Sequence, residues 1–302
     1  MAWKERFQSI KTKLVTIEDW LCWVEQLLEQ ESVYLGHGTD NYWDEGLQLV
    51  FAAMKLPLTA GREVLAQRVE PQEQQKIMAF LEKRIDQRQP LPYITGQAWF
   101  MQMPFAVDER VLIPRSPIGE WIERRFQPWV QPDKVTRICD IGTGSGCIAI
   151  GLAWVFPQAT VDAVDLCPAA LAVAQENINA YELSSRVRCV QGDALSAVEG
   201  EQYDLIVSNP PYVPEAEEAL LPDEYRHEPQ KALYSGDSGL DIVDGMLANA
   251  YHHLREGGIF VLEVGQTAVT LAERYPQLPF IWLDCENGGE GVLLLEKHQL
   301  PH

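Results

Sequence analysis

The sequence predicts an α/β fold: a doubly wound, mostly parallel sheet of seven strands, preceded by a small helical domain and joined to it by a β-hairpin. Three observations predict it. From about residue 136 short apolar runs alternate with helical segments of about 10–15 residues, the pattern of repeated βαβ units. Before residue 95 the apolar residues instead recur at helical spacing. The length of 302 residues suits one α/β domain of about 170–200 residues with a smaller companion. The expected boundaries are 1–95 for a helical domain that recognises the partner, 96–116 for the hairpin linker and 117–302 for the sheet domain.

In the helical part, Thr16 followed by Asp19 is a capping-box signature, and Ile17, Trp20, Leu21, Val24, Leu27 and Leu28 then share one face. A second helix places Leu47, Val50, Phe51 and Met54 on one face, and a third opens at Pro71 and carries Ile77, Leu81 and Ile85. Between the first two lies YLGHGTDNYWDE (34–45), a polar stretch long for a connector, which reads as a turn cluster. The prolines of RQPLPYITG (88–96) end the helical region. AWFMQMPFAVDERVLIP then reads as strands around an Asp108-Glu109 turn.

The sheet strands are TRICDI, TVDAVDL, RVRCVQ, YDLIVS and GIFVLEVG, followed by PFIWLD and GVLLLEK. Only the Gly-rich turn ENGGE separates the last two, so they form an antiparallel hairpin at the sheet's edge.

Composition narrows the classes of function. A hydrophobic fraction of 46% with nine tryptophans excludes a disordered chain. The N-terminal MAWKERFQSIKTKL has positive charges with no apolar segment behind them, and no run of about 18 apolar residues occurs, so a cytoplasmic protein without a membrane partner is expected. The six cysteines (Cys22, Cys139, Cys147, Cys167, Cys189, Cys285) contain no C-x-x-C pair and several sit in apolar strands, which argues against zinc or a disulfide framework. His252 and His253 are adjacent, so on a helix they point about 100° apart. No metal is expected. The net charge of −20, from 44 acidic against 24 basic residues, repels a phosphate backbone and favours a basic protein partner, although solubility alone explains it equally well.

The first sheet strand runs into Asp140-Ile-Gly142-Thr143-Gly144-Ser145-Gly146 and then an apolar helix. Alternating glycines let the backbone turn sharply and approach a ligand, and the helix N-terminus presents its N–H groups. A nucleotide-like cofactor belongs here. The loop leaves its class open, because Gly144-Ser-Gly146-Cys-Ile-Ala149 also fits the dinucleotide fingerprint G-x-G-x-x-A of dehydrogenases. Asp165, ending the second strand, is placed to accept hydrogen bonds from ribose hydroxyls; the alternative is an N-cap for the helix at Pro168. Gly192-Asp193-Ala194-Leu195 ends the third strand, where topology puts an adenine ring, or a plain turn.

The deciding element is Ser208-Asn209-Pro210-Pro211-Tyr212 after the strand YDLIV. Consecutive prolines remove two donors and stiffen the loop, so the Asn209 side chain and the Pro210 carbonyl become fixed acceptors where open α/β sheets bind ligands. A planar NH₂ group needs two acceptors for its hydrogens and an aromatic face, here Tyr212, to fix its plane.

Taken in order over roughly residues 136–298, DIGTGSG, Asp165, GDAL and NPPY resemble the class I (Rossmann-like) S-adenosylmethionine-dependent methyltransferases that modify planar exocyclic or amide NH₂ groups. ERVLIPRSPIGE (109–120), LPDEYRHEPQKALYSGDSGLD (221–241) and EVGQ (263–266) resemble the bacterial protein-glutamine methyltransferases. That family includes enzymes for peptide release factors and for large-subunit ribosomal protein L-3. YLGHGTDNYWDE and RSPIGE are similar to the ribosomal-protein branch, whereas the release-factor branch has an RPDTE-like sequence and a D-L-x-G-x-x-R ending that NGGEGVLLL lacks.

The resemblance implies S-adenosylmethionine as cofactor, leaving as S-adenosylhomocysteine and held by Asp140, Gly142, Thr143, Gly144, Ser145, Gly146, Asp165, Asp193, Ala194 and Asn209. It implies a target glutamine amide bound at Asn209, Pro210, Pro211 and Tyr212, with Asn209, Pro210 and Tyr212 catalytic. The implied partner is a basic protein, free or assembling ribosomal protein L-3, with no direct nucleic-acid specificity. The competing readings are a release-factor enzyme, a nucleic-acid amino-methyltransferase acting on a flipped base, and a non-catalytic cofactor-binding or ribosome-assembly factor. The acidic charge and the lack of a Lys/Arg-rich tract oppose the second; intact Asn209 and Tyr212 oppose the third.

Overall fold

In the computed structural model, which describes residues 3–286 and 288–302, the chain divides into two units. One runs to Gly96 and includes Pro222–His227; the other comprises Gln97–Leu221 and Glu228–His302. Met1, Ala2 and Asn287 of the expected ENGGE turn lie outside the described residues.

The first unit is helical: α1 (Trp3–Ile10), α2 (Ile17–Gln30), α3 (Tyr42–Met54), α4 (Pro71–Leu81) and α5 (Leu91–Thr95). Thr16 and Asp19 close the capping box, Thr16 Oγ1 accepting the Asp19 N–H at 3.2 Å and Asp19 Oδ2 the Thr16 N–H at 2.8 Å. The face from Ile17 to Leu28 is buried as its spacing requires, each such aliphatic side chain contributing about 1.5–3 kcal/mol. Helix α3 starts inside the polar 34–45 stretch because Asn41 Oδ1 accepts the Asp44 N–H at 2.8 Å and caps it. Its buried face centres on Gly46, Leu49, Val50 and Ala53, with Phe51 also buried, so Leu47 and Met54 sit half-buried at the margin instead of at its centre. The cause is Gly46, where a Cβ would lie 3.2 Å from Val24 Cγ1: α3 meets α2 through its smallest residue and turns that side inward.

A buried ion network completes this unit. Arg84, 1% exposed, donates Nε to Glu45 at 2.6 Å, Nη1 to Glu224 at 3.2 Å and Nη2 to the Tyr34 carbonyl at 2.6 Å.

The second unit opens with a hairpin, β1 (Gln97–Phe100) and β2 (Met103–Ala106). Its turn is Met101-Gln102, both at positive φ (48° and 59°), and not the expected Asp108-Glu109. The strand stops at Ala106 because Asn177 takes over that residue's N–H and C=O at 2.8 and 3.0 Å. Asp108 then folds back on the Arg110 N–H at 3.0 Å, so residues 107–116 run as irregular chain.

There follow α6 (Ile118–Glu123), β3 (Arg137–Ile141), α7 (Cys147–Val155), β4 (Thr160–Asp165), α8 (Pro168–Ala180), β5 (Val187–Gln191) and β6 (Tyr203–Ser208). After a long loop come α9 (Asp241–His253), β7 (Leu254–Glu263), α10 (Ala268–Arg274), β8 (Ile281–Trp282) and β9 (Val292–Glu296). The sheet order is β5-β4-β3-β6-β7-β9-β8, with β9 antiparallel to both neighbours. The expected final hairpin therefore enters the sheet by its second strand. Val292–Leu295 are all buried and suit an interior position, whereas β8 pairs over two residues and forms the edge. Among the described residues no helix is long and apolar enough to cross a membrane.

Candidate functional site

The register gathers the chemistry-bearing residues at one edge of the sheet. Ile141 pairs with Val164 on one side and Ser208 on the other, Asp165 pairs with Gln191, and Ser208 pairs with Leu262. The residues just beyond these pairs are the glycine loop, the Asp193-Ala194 turn, Asn209 and Glu263, so the ends of five strands lie along the sheet edge where open α/β folds bind ligands.

The glycine loop is held from both sides. Gly142, Gly144 and Gly146 all take positive φ (72°, 53° and 81°), and Gly146 is the N-cap of α7. The Gly142 and Thr143 N–H groups donate to the Val164 carbonyl at 2.9 Å, and the Gly144 N–H donates to Asp165 Oδ2 at 2.9 Å. Asp165 Oδ1 accepts the Cys167 N–H at 2.8 Å. Cys167 occupies the N-cap of α8, so Asp165 is not that helix's cap; it pins the loop and keeps further lone pairs on both oxygens. Gly192 donates to the Asp165 carbonyl at 3.1 Å, bringing the exposed Asp193 and the left-handed Ala194 (φ 44°) beside it.

Asp140 lies beneath the loop, fully buried. Its Oδ2 accepts from Thr143 Oγ1 at 2.6 Å and the Ala149 N–H at 3.1 Å, while Oδ1 is buried with no partner among the described residues. Burial pushes its carboxyl up to about 7 against the Thr143 and Ala149 donors that lower it, and Asp165 adds like-charge repulsion. Asp165 is likewise raised by burial. A site with two acidic groups, an unpartnered carboxylate oxygen and close-approach glycines fits a cofactor that carries hydroxyl donors and positive charge. Ser145, also buried, completes the loop.

The NPPY segment leaves β6 next to that loop. Ser208 Oγ donates to the Ile141 carbonyl at 2.8 Å, tying β6 to β3 where both end. A Cβ on Gly142 would stand 3.7 Å from the Asn209 carbonyl oxygen. Asn209, Pro211 and Tyr212 are half-buried and Pro210 is buried. Beyond Tyr212 the loop is fixed by the Val213 N–H to the Leu233 carbonyl at 2.9 Å and the Ser235 N–H to the Val213 carbonyl at 3.0 Å.

Four polar residues join this region that the sequence offered only inside longer resembling segments. The Tyr212 hydroxyl donates to Glu263 Oε1 at 3.0 Å, and Ser116 Oγ donates to Glu263 Oε2. Arg115 grips Glu228 with both Nη atoms at 2.6 and 2.7 Å, and Glu228 also accepts the Ile113 N–H at 3.0 Å. Ser116 and Glu263 thus meet Tyr212 at the strand ends, and the Arg115–Glu228 pair adjoins them through Arg115, which acts on Glu263 through space. The one available sequence signal is Glu263, a single acid inside an apolar strand.

Comparison with known proteins was consistent with this geometry. The family "Methyltransferase small domain" matches residues 128–273. A ribosomal protein uL3 glutamine methyltransferase of Francisella tularensis subsp. tularensis is 41% identical over 98% of this chain and 95% of its own. A protein of the same name from Bordetella pertussis is 41% identical over 96% of this chain and 98% of its own. Among solved structures, the hMettl16 catalytic domain in complex with MAT2A 3′UTR hairpin 1 is similar with a TM-score of 0.50 and 17% identity, over 82% of this chain and 90% of that one. At that identity the likeness concerns the fold.

Proposed function

The chain belongs to the family of ribosomal protein uL3 glutamine methyltransferases, and from that membership we propose that it transfers a methyl group from S-adenosylmethionine to the side-chain amide nitrogen of a glutamine in ribosomal protein uL3. The observation that carries the reading is the emergence of Asn209-Pro210-Pro211-Tyr212 beside the glycine loop, within 3.7 Å of the space a Gly142 side chain would take. S-Adenosylmethionine supplies an electrophilic methyl group on a sulfonium, and Gly142–Gly146, Asp140, Asp165 and the Asp193-Ala194 turn are the residues that would hold it.

The remaining chemistry falls to the chain. An amide nitrogen is a poor nucleophile because its lone pair is delocalised into the carbonyl. The Asn209 side-chain oxygen and the Pro210 carbonyl accept the two N–H hydrogens, and the Tyr212 ring holds the amide plane, so the lone pair points along the line of displacement. Such positioning lowers a barrier by up to about 7–11 kcal/mol in well-oriented cases. The same acceptors stabilise the positive charge that grows on nitrogen. The nitrogen–methyl bond forms as the sulfur–methyl bond breaks, and the extra proton then passes to water, because an N-methylated amide cation is strongly acidic.

The net charge of −20 suits a basic substrate met before it is covered by RNA, in the cytoplasm as a free or assembling protein. Incubation of purified uL3 and, separately, a release factor with cofactor and enzyme, read by peptide mass spectrometry, tests the proposal. The expected outcome is one methylated glutamine in uL3 and none in the release factor; the reverse reassigns the substrate. Asn209→Ala should lower turnover by roughly 10²–10³-fold with cofactor affinity nearly intact, since it removes one of two amide acceptors but only one of many cofactor contacts. Turnover like that of the wild type in this variant would overturn the mechanism.

A further inference from the structure

We propose that Glu263 is a positioning residue for methyl transfer: its hydrogen bond to the Tyr212 hydroxyl fixes the aromatic plane against which the target amide is held, and Ser116 fixes Glu263 in turn. This rests on the reading that Tyr212 faces the substrate amide.

Glu263 is the last residue of β7 and 4% exposed, between the buried Leu262 and Val264. A carboxyl in such a place is costly unless hydrogen-bonded, and in a purely structural role it would be expected to meet a cation. This chain does that elsewhere, with Arg84 on Glu45 and Arg115 on Glu228. Glu263 instead gives one oxygen to the Tyr212 hydroxyl at 3.0 Å and the other to the Ser116 hydroxyl. Neither contact offsets a full charge and Arg115 acts on it only through space, so burial pushes the Glu263 carboxyl up to about 7. What the arrangement does supply is direction.

The neighbouring glycine completes the clamp. Gly265 has φ +47°, and a Cβ there would lie 2.7 Å from the Tyr212 ring. The ring edge therefore packs directly against the Gly265 backbone, and the hydroxyl tether to Glu263 holds its far end. Because a displacement of about 1 Å at a reacting centre can cost about 10²-fold in rate, a tether with no contact to the substrate can govern turnover.

The test combines Glu263→Ala, Glu263→Gln and Tyr212→Phe. Glu263→Ala is expected to lower kcat about 10²-fold while KM for uL3 and the Kd for cofactor stay within about threefold. Glu263→Gln keeps an acceptor for the tyrosine hydroxyl, is the safer variant for folding, and should recover most of that loss. Tyr212→Phe should resemble Glu263→Ala, and the double variant should be no worse than either, since both cut one tether. Losses that multiply, or an undiminished kcat in Glu263→Ala, would overturn the proposal. A readout free of substrate separates it from the uL3 assignment: with 3-fluorotyrosine incorporated, the ¹⁹F resonance absent in Tyr212→Phe should shift or broaden in Glu263→Ala. An unmoved resonance sinks the tether even if uL3 is methylated; a moved one upholds it even if uL3 is the wrong substrate.

Discussion

The helical unit buries its charge in ion pairs, whereas the α/β unit pairs Glu228 with Arg115 but meets Asp140 and Glu263 with neutral donors. In the helical unit Arg84 sits between Glu45 and Glu224 with three donors engaged, so opposite charges and a carbonyl answer it inside the protein. At the strand ends of the α/β unit Asp140 and Glu263 are buried with hydroxyls and a backbone N–H as partners, and both are pushed up to about 7. The first pattern is what folding alone selects, because a buried ion is tolerable when paired. The second leaves acidic groups under electrostatic strain, which a ligand with positive charge or hydroxyl donors can relieve. On the proposed function, buried charge marks the candidate site by the quality of its compensation.

The largest effect should come from breaking the compensated network. Arg84→Met keeps much of the side-chain volume but leaves Glu45 and Glu224 buried without their cation, an imbalance that costs about 3–5 kcal/mol. Hydrogen exchange would locate the loss: α2, α3 and α4 amides should lose protection while β3 and β6 amides keep theirs. Equal loss in both units would mean that the network supports the whole fold.

The α/β unit should respond to pH instead. A carboxyl whose folded pKa is raised gives stability that is complete below its unfolded value and lost as pH rises through the folded one. For Asp140 and Glu263 the loss accumulates between about 4 and about 7 and then levels off, on the order of 4 kcal/mol for Asp140 and about 3 kcal/mol for Glu263 at about 1.36 kcal/mol per pKa unit. Glu263 is faced by Ser116, Tyr212, Arg115 and Cys285; Asp140 by Thr143, the Ala149 N–H and Asp165. The cofactor-free melting temperature should fall across this window, and Asp140→Asn or Glu263→Gln should each flatten the fall and melt above wild type at its alkaline end. A flat wild-type profile would remove the contrast between the two units.

The sequence carried the local half of this contrast. Asp140, Asp165 and Asn209 each lie within one residue of the end of an apolar strand, and the strand pattern puts such ends on one edge, so their placement there was legible residue by residue. Thr16 and Asp19 were legible for the same reason, since a capping box is complete within four residues. The pairing of Glu263 with Ser116 was not, because the two are 147 positions apart and meet through the folded topology. Met101-Gln102 carries no glycine, asparagine or aspartate, so the Asp108-Glu109 pair took the turn signal. The burial of α3 around Gly46 likewise depends on the helix it meets, which spacing within α3 cannot report.

The smallest expected effect falls on Asp165, whose carboxylate already holds two backbone N–H groups, from Gly144 at 2.9 Å and Cys167 at 2.8 Å. Those bonds favour the ionised form and oppose the burial that raises its pKa, so Asp165 is better compensated than Asp140. If its remaining lone pairs take the ribose hydroxyls of the cofactor, Asp165→Ala removes hydrogen bonds to a charged group, worth about 1.5–3 kcal/mol, or roughly 10–150-fold in affinity. The same substitution frees the Gly144 amide, so part of the loss could arise from a loosened loop and not from the ribose. Asp165→Asn separates the two. It keeps one oxygen to accept the Gly144 N–H but turns an NH₂ toward the Cys167 N–H and the second hydroxyl, so the glycine loop should hold, with Gly144 protected from exchange, while affinity falls most of the way to the alanine value. Calorimetry that finds wild-type affinity in Asp165→Asn and reduced affinity in Asp165→Ala would make Asp165 a loop pin, and would leave Asp140 and Glu263 as the acids that distinguish the site.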